Sequence, residues 1–336
     1  MHVPSPDRHQ GSGRRRLLVK GILAVPGLAL AGRAAADDND EGRLRLVAGF
    51  ETAAPGDVLT RVLAIELGHH WDETVAVLNR GGASGRVAAR FVRDQAPDGR
   101  NLLLADTCSM VLAPLTHRTA GFDPWEDFVA VGRVAIRRSV IVVRADSPVR
   151  DVDAWLQDAR RVPEAATVGT SAVGGLRWFL GCRFAYEHEA SLLLVPYRRS
   201  PLLISDVVGG SIAAGIVPMG DALPNRRAGR LRILAVDGAQ RTRLAPDVPT
   251  LGELGFRGFE SPHWYGLFAP RGTPAAAVDR WSDAALALLS RGNIPGRLPN
   301  IGIEAHPGSP QALQVTLAAD IQTWRPMVAA SGFLID

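Results

Sequence analysis

Three stretches of this chain put hydroxyl, amide or guanidinium donors directly after a short apolar run, and donors so placed hold a small anion rather than break a bond. Residues 195–210 read VPYRRSPLLISDVVGG. The apolar run 192–195 reads as a buried strand and 196–201 as a polar turn. Residues 201–208 then form a helix with Pro near its first turn and a Gly-Gly stop. Tyr197 supplies a ring and a phenol, and Arg198 can grip a carboxylate with two parallel N–H groups. The unit recurs at 44–67 and at 167–186, where Gly174 and Gly175 precede a helix whose first N–H groups need partners. A helix N-terminus favours an anion through its dipole. Three such loops predict a cleft walled by strand-to-helix turns.

Motifs for catalysis are missing. The chain has no Gly-x-Ser-x-Gly, no His-Glu-x-x-His, no P-loop and no Gly-x-Gly-x-x-Gly. His69 and His70 are adjacent, so on a helix they point apart and cannot share a metal. Lys20 is the only lysine, which excludes a Schiff-base lysine beyond the leader. No cofactor is expected.

The 336 residues suffice for two domains, and 46% hydrophobic with 21% charged residues is ordinary for a globular protein. The net charge of +4 belongs to the N-terminus. Residues 1–36 hold Arg8, Arg14, Arg15, Arg16, Lys20 and Arg33 against Asp7, and without them 32 basic residues face 33 acidic ones. That balance leaves no field for nucleic acid. The same 36 residues read as an export signal: Arg14–Arg16, an apolar core at 21–31 too short to span a bilayer, and a small-residue cleavage site ending at Ala36. Arg15-Arg16 followed by Leu17-Leu18-Val19-Lys20 resembles a twin-arginine motif. The mature protein is therefore expected in the periplasm.

Strands and helices alternate through the first hundred mature residues, the pattern of an α/β domain with a mostly parallel sheet. Residues 129–143 are β-rich without a strong breaker and read as a crossing into a second domain. Residues 258–269 return the chain to the first. The expected division is 44–136 plus 263–336 for domain 1 and 137–262 for domain 2. Two crossings make a hinge.

VPYRRSPLLISDVVGG resembles the central motif of solute receptors of the tripartite tricarboxylate transporter family, the Bug-type binding proteins. NRGGASGRVAAR at 79–90, APDGRNLLLADT at 96–107, FDPWEDF at 122–128, LAPDVPTLGELGF at 244–256 and WYGLFAPRGTP at 264–274 extend the resemblance in order and spacing. It implies a two-domain, type II (Venus-flytrap) periplasmic binding protein with its ligand cleft between domains. It also implies a small organic acid as ligand, the membrane components of a tripartite tricarboxylate transporter as partners, and a monomeric mature protein. Cys108 and Cys182 would then lie in different domains as small unpaired hydrophobes.

The resemblance also implies site residues. In the family the loop after the first strand holds a carboxylate with its backbone, partly through water. Here that loop supplies Phe50, Glu51, Thr52, Ala53 and Asp57, with Ala53 and Ala54 in place of two glycines. Alanine restricts positive φ, and Glu51 repels an anion. The second loop supplies Thr170, Ser171, Ala172 and Gly174, followed by Arg177, an unusual cation there. Thr107 and Ser109 end the third strand, Tyr197 and Arg198 belong to the central motif, and Val217 stands where the family often has an acid. These departures predict an acid bulkier or more apolar than succinate or malate. Two other roles stay open: a ligand-sensing partner of a membrane kinase, and a periplasmic enzyme on the same fold.

Overall fold

The computed structural model describes residues 43–291 and 294–335. The leader, its cleavage site at Ala36 and the charged segment before Arg43 lie outside the described residues. The chain starts with β1 (Leu44–Ala48), α1 (Pro55–Trp71), β2 (Val75–Asn79), α2 (Arg86–Arg93), β3 (Asn101–Asp106) and the short α3 (Ala113–Thr116). Then come β4 (Phe128–Arg137), β5 (Ser139–Arg144), α4 (Val152–Arg161), β6 (Thr167–Thr170), α5 (Leu176–Glu187) and β7 (Leu193–Pro196). After these run α6 (Ser200–Gly209), β8 (Ala214–Pro218), α7 (Met219–Arg227) and β9 (Leu231–Val236). The chain closes with β10 (His263–Pro270), α8 (Ala275–Arg291), α9 (Ile294–Arg297), β11 (Glu304–Gly308) and α10 (Pro310–Ser331).

Local chemistry sets the helix ends. Asp151 accepts the Ala154 N–H at the start of α4, and Ser309 does the same for Ala312 at the start of α10. α6 has Pro in its first turn and stops at Gly210, whose φ of 78° suits glycine. Among the described residues no helix is long and apolar enough to cross a membrane.

The strands form two sheets. One has six strands in the order β11-β4-β10-β3-β1-β2, the other five in the order β7-β6-β8-β5-β9. Both are mixed, which corrects the expectation of mostly parallel sheets. β1 runs parallel to β2 and β3, but β10 is antiparallel to β3 and β4, and β11 to β4. β6 runs parallel to β7 and β8, whereas β5 is antiparallel to β8 and β9. The antiparallel strands are mainly those that carry the chain between sheets, so they enter against the direction of the βαβ units.

The β-rich stretch read as one unit is broken at Arg138. Its side chain is 7% exposed and donates from Nη1 to the Asp237 carbonyl at 2.8 Å, while the Ser139 N–H donates to Asp237 Oδ1 at 2.9 Å. The two crossings are thereby tied side by side. Around them the core falls into three apolar clusters. One lies between the first sheet and α1 and α8, with Leu59, Leu63 and Trp281 at its centre. A second packs α6 and α7 on the other sheet through Leu203, Val207 and Ala222. The third is shared: it runs from Val47 and Leu103 through Trp264 and Leu313 to Trp155, Phe179 and Phe184.

α10 joins the halves of that shared cluster. It packs on β4 near its start, and further along Trp324 lies 6.5 Å from Phe179 of α5, ring centre to ring centre. Phe333 follows at 5.5 Å from Trp178. Within the cluster, the Trp264 indole N–H donates to Asp320 at 2.7 Å, and that carboxylate is 2% exposed. Burial pushes the Asp320 carboxyl up, against hydrogen bonds from Ser261 and Trp264. Trp264→Phe keeps most of the apolar volume but removes this donor. Chemical denaturation is expected to show a loss of about 1–3 kcal/mol, the cost of an unsatisfied buried acceptor. An unchanged midpoint would mean that Asp320 re-pairs.

Candidate functional site

The carboxyl ends of β1, β2 and β3 and the loop after β6 surround a cavity of about 430 Å³. This is where an open α/β sheet ordinarily presents a ligand. Gly49, Phe50, Glu51 and Ala54 form one wall, residues 82–85 a second, and Asp106, Cys108 and Ser109 a third. Residues 172–175 come from the other lobe, and Ile335 from beyond α10. Ile335 is held by β-type pairing: its N–H donates to the Thr116 carbonyl at 2.7 Å, and the Arg118 N–H donates to its own carbonyl at 3.1 Å.

Of the candidate residues, Phe50, Glu51, Ser109, Ala172 and Gly174 meet around this cavity. The Phe50 ring stands edge-on to Tyr265 at 5.7 Å, and Gly56 lies against its face, where a Cβ would come within 2.6 Å of the ring. Ala53 adopts φ 64° despite its methyl group. The expected restriction by alanine is overridden there because the Ala53 N–H donates to Asp57 Oδ2 at 2.8 Å.

The other candidates are engaged elsewhere. Asp57 is 1% exposed and also accepts from Asn79 Nδ2 at 2.7 Å and from Arg61. Burial would raise its carboxyl, but the hydrogen bonds from Asn79, Arg61 and the Ala53 N–H outweigh this and hold it below the usual range. Thr107 accepts the Trp264 N–H at 3.0 Å, and Thr170 donates to the Ser171 carbonyl at 3.0 Å; both are buried. Val217 is a fully buried core residue. Tyr197 donates its hydroxyl to Asp206 at 2.5 Å, which pins the β7–α6 turn, and Arg198 is exposed. Thr52, Ala53, Ser171, Tyr197 and Arg198 lie off the cavity wall. The residues that sequence reasoning missed are those at 82–85, Asp106, His117 and Ile335. Only the first carried a signal, the Gly-Gly of residues 81–82, which reads equally well as a tight turn.

Asp106 anchors a polar network under the cavity. Ser109 donates to it through its N–H at 2.9 Å and its hydroxyl at 3.0 Å, and His263 Nε2 lies 2.9 Å from its other oxygen. Burial raises the Asp106 carboxyl, yet the hydrogen bonds from His263 and Ser109 leave it lowered. Burial lowers His263 in spite of Asp106. The pair is thus a carboxylate receiving Nε2–H from a neutral imidazole, with no partner for Nδ1 among the described residues. Burial, then the Asp106 charge, pushes the neighbouring Cys108 thiol up to about 12, against a hydrogen bond from the Leu176 N–H. A thiol held protonated is a poor nucleophile. Cys108 and Cys182 are both unpaired.

Asp106, Cys108 and His263 bring three potential metal-ligand atoms within 4.8 Å of one another. The trio is already knit by its own hydrogen bond, and both Arg137 and Arg177 act on Cys108 and His263. Two guanidinium groups oppose a cation at that spot.

Residues 59–333 match the tripartite tricarboxylate transporter family receptor, TctC. The chain belongs to that family. It is 29% identical to Protein BugT of Bordetella pertussis over 323 residues, covering 93% of this chain and 97% of that protein. A UPF0065 protein from the tcbD-tcbE intergenic region of Pseudomonas sp. strain P51 is also 29% identical, with 94% of each chain covered. Among solved structures, R. palustris Rpa4515 with adipate is 29% identical with a TM-score of 0.72, covering 87% of this chain and 98% of that one. Periplasmic binding protein BugD is 25% identical with a TM-score of 0.69 over the same shares. As a TctC receptor, this chain is a solute-binding protein of the tripartite transporters, on the two-domain α/β fold of periplasmic binding proteins.

Proposed function

We propose that the receptor works in the periplasm, closes on a small organic acid between its lobes, and delivers it to the membrane components of a tripartite tricarboxylate transporter. The observation that carries this reading is a cavity whose walls come from both lobes, with the Cys108 thiol of one held by the Leu176 N–H of the other. Its volume of about 430 Å³ suits one small ligand. Residues 44–136 with 263–336 move as one body and 137–262 as the other, turning about the tied crossings at Arg138 and Asp237. The mature protein acts as a monomer and by binding, not catalysis. Phe50, Leu103, Leu112 and Val173 give the cavity apolar walls, which favour an acid with an apolar or aromatic body. The relative with adipate supports a carboxylate.

Native mass spectrometry of protein taken from its own periplasm is expected to reveal a retained organic acid. Calorimetry is expected to give tighter binding of benzoate or adipate than of malate. Small-angle scattering with the retained acid at saturation is expected to show a more compact particle, and heating a higher melting temperature by linkage. A particle that neither compacts nor gains stability with a proven ligand would remove the closure mechanism. Preferred binding of malate would overturn the apolar-body specificity.

A further inference from the structure

Arg177, the second residue of α5, is 7% exposed, and its Nε and Nη2 have no hydrogen-bond partner among the described residues. A guanidinium carries five N–H donors, so leaving the three on these two nitrogens dry is costly unless an acceptor arrives. Arg137, at the end of β4, likewise has an unpartnered Nε, and its nearest carboxylate oxygen, on Asp221, is 3.7 Å away. These donors come from the first crossing between the lobes and from the start of α5. The Leu176 N–H already reaches Cys108 on the cavity wall, so Arg177 follows directly behind that wall. Burial and then the charge of Arg137 hold the Arg177 guanidinium down to about 10, and Asp237 is the carboxylate that opposes this. One Asp237 oxygen is already used by the Ser139 N–H.

We propose that Arg177 and Arg137 form a buried oxyanion subsite at the inner end of the interlobe cavity, built to receive one carboxylate of the solute. Resting on the receptor reading, this names what makes the solute an acid for this chain: a planar two-oxygen anion taken by the free edge of Arg177, with Arg137 supplying a second donor. It relocates the anion contact from the β1–α1 loop, where Glu51 stands, to the N-terminal turn of α5, whose dipole adds to the attraction.

The test is calorimetry with adipate, benzoate and the neutral probe benzamide on wild type, Arg177→Met and Arg177→Lys, with melting temperatures of the ligand-free proteins. Adipate or benzoate is expected to bind wild type, and Arg177→Met to weaken it about 10- to 100-fold. Arg177→Met without ligand should melt at or above wild type, because a dry guanidinium has been replaced by an apolar chain. Undiminished acid binding by Arg177→Met would overturn the subsite and leave the receptor reading intact. A marked fall in its ligand-free melting temperature with unchanged affinity would make Arg177 structural and also overturn the subsite. If Arg177→Met does not fold, Arg177→Lys decides: a wild-type melting temperature with weaker acid binding supports the subsite, and wild-type affinity overturns it. A wild type that retains only a neutral solute would sink the subsite alone, whereas a wild type that retains and binds nothing would sink the receptor reading too.

Discussion

Gly220→Ala is expected to weaken solute binding by up to about 150-fold while leaving both sheets folded. Gly220 opens α7 in one lobe, and Gly302 follows the 3-10 turn Leu298–Ile301 in the other. A Cβ on Gly220 would lie 2.4 Å from the Gly302 Cα, and one on Gly302 would lie 2.8 Å from the Gly220 Cα. Both obstructions are backbone, so no rotamer change clears them, and the lobes must shift apart. Gly220 does not need glycine for its own conformation, since it is absent from the residues with positive φ. The penalty therefore arises from the contact between lobes. Overpacking of this kind costs about 1–3 kcal/mol, and whatever part falls on the closed form alone appears as lost affinity. Calorimetry with the retained acid, paired with small-angle scattering, measures it: the variant should compact less on binding. A lower melting temperature with unchanged affinity would instead place the glycine contact in the static frame of the hinge.

That contact was invisible in the sequence, and its invisibility shows where legibility ended. The local units were readable because local chemistry makes them. Pro201 and Gly210 bound α6, and the 44–67 and 167–186 stretches became strand, loop and helix. The cleft between those loops followed from their number. Which hydroxyl faces it did not follow, because facing is decided by distant partners. Thr107 turned to the Trp264 N–H, and Tyr197 to Asp206, so the most motif-like tyrosine holds a turn rather than lining the cavity. The restriction expected at Ala53 failed for the same kind of reason, since one hydrogen bond to Asp57 sustains the left-handed backbone. Ile335 gave no signal, being brought to the cavity by α10 and its pairing with Thr116. Arg177 stood out as a cation in an unusual place. Its burial and its missing partners needed three dimensions.

Asp237→Asn is expected to stabilise the protein at pH 8, by up to about 4 kcal/mol, and the gain should vanish near pH 4. Asp237 follows β9 at the crossing, is 2% exposed, and accepts the Ser139 N–H at 2.9 Å. Burial pushes its carboxyl up to about 7, despite that hydrogen bond and the charges of Arg138 and Arg177. Arg138 is itself shared with Glu304 of β11, its Nε lying 3.4 Å from the carboxylate. A raised carboxyl means the folded state binds more protons than the unfolded state between about pH 4 and 7. Stability is therefore fullest below the unfolded pKa, falls as pH rises through that window, and stays reduced above it. Asparagine keeps an oxygen for the Ser139 N–H and carries no charge, so it should lack this slope. Urea titrations of both proteins at pH 4, 6 and 8 measure the difference between them. The same carboxyl bears on binding: an acid seated against Arg177 would raise Asp237 further, so binding would take up a proton. Wild type should then bind adipate more tightly at pH 6 than at pH 8, and Asp237→Asn should not. An asparagine variant less stable than wild type at pH 8 would overturn this account, because the pairing of an ionised Asp237 with Arg138 and Arg177 would then outweigh the cost of burying its charge.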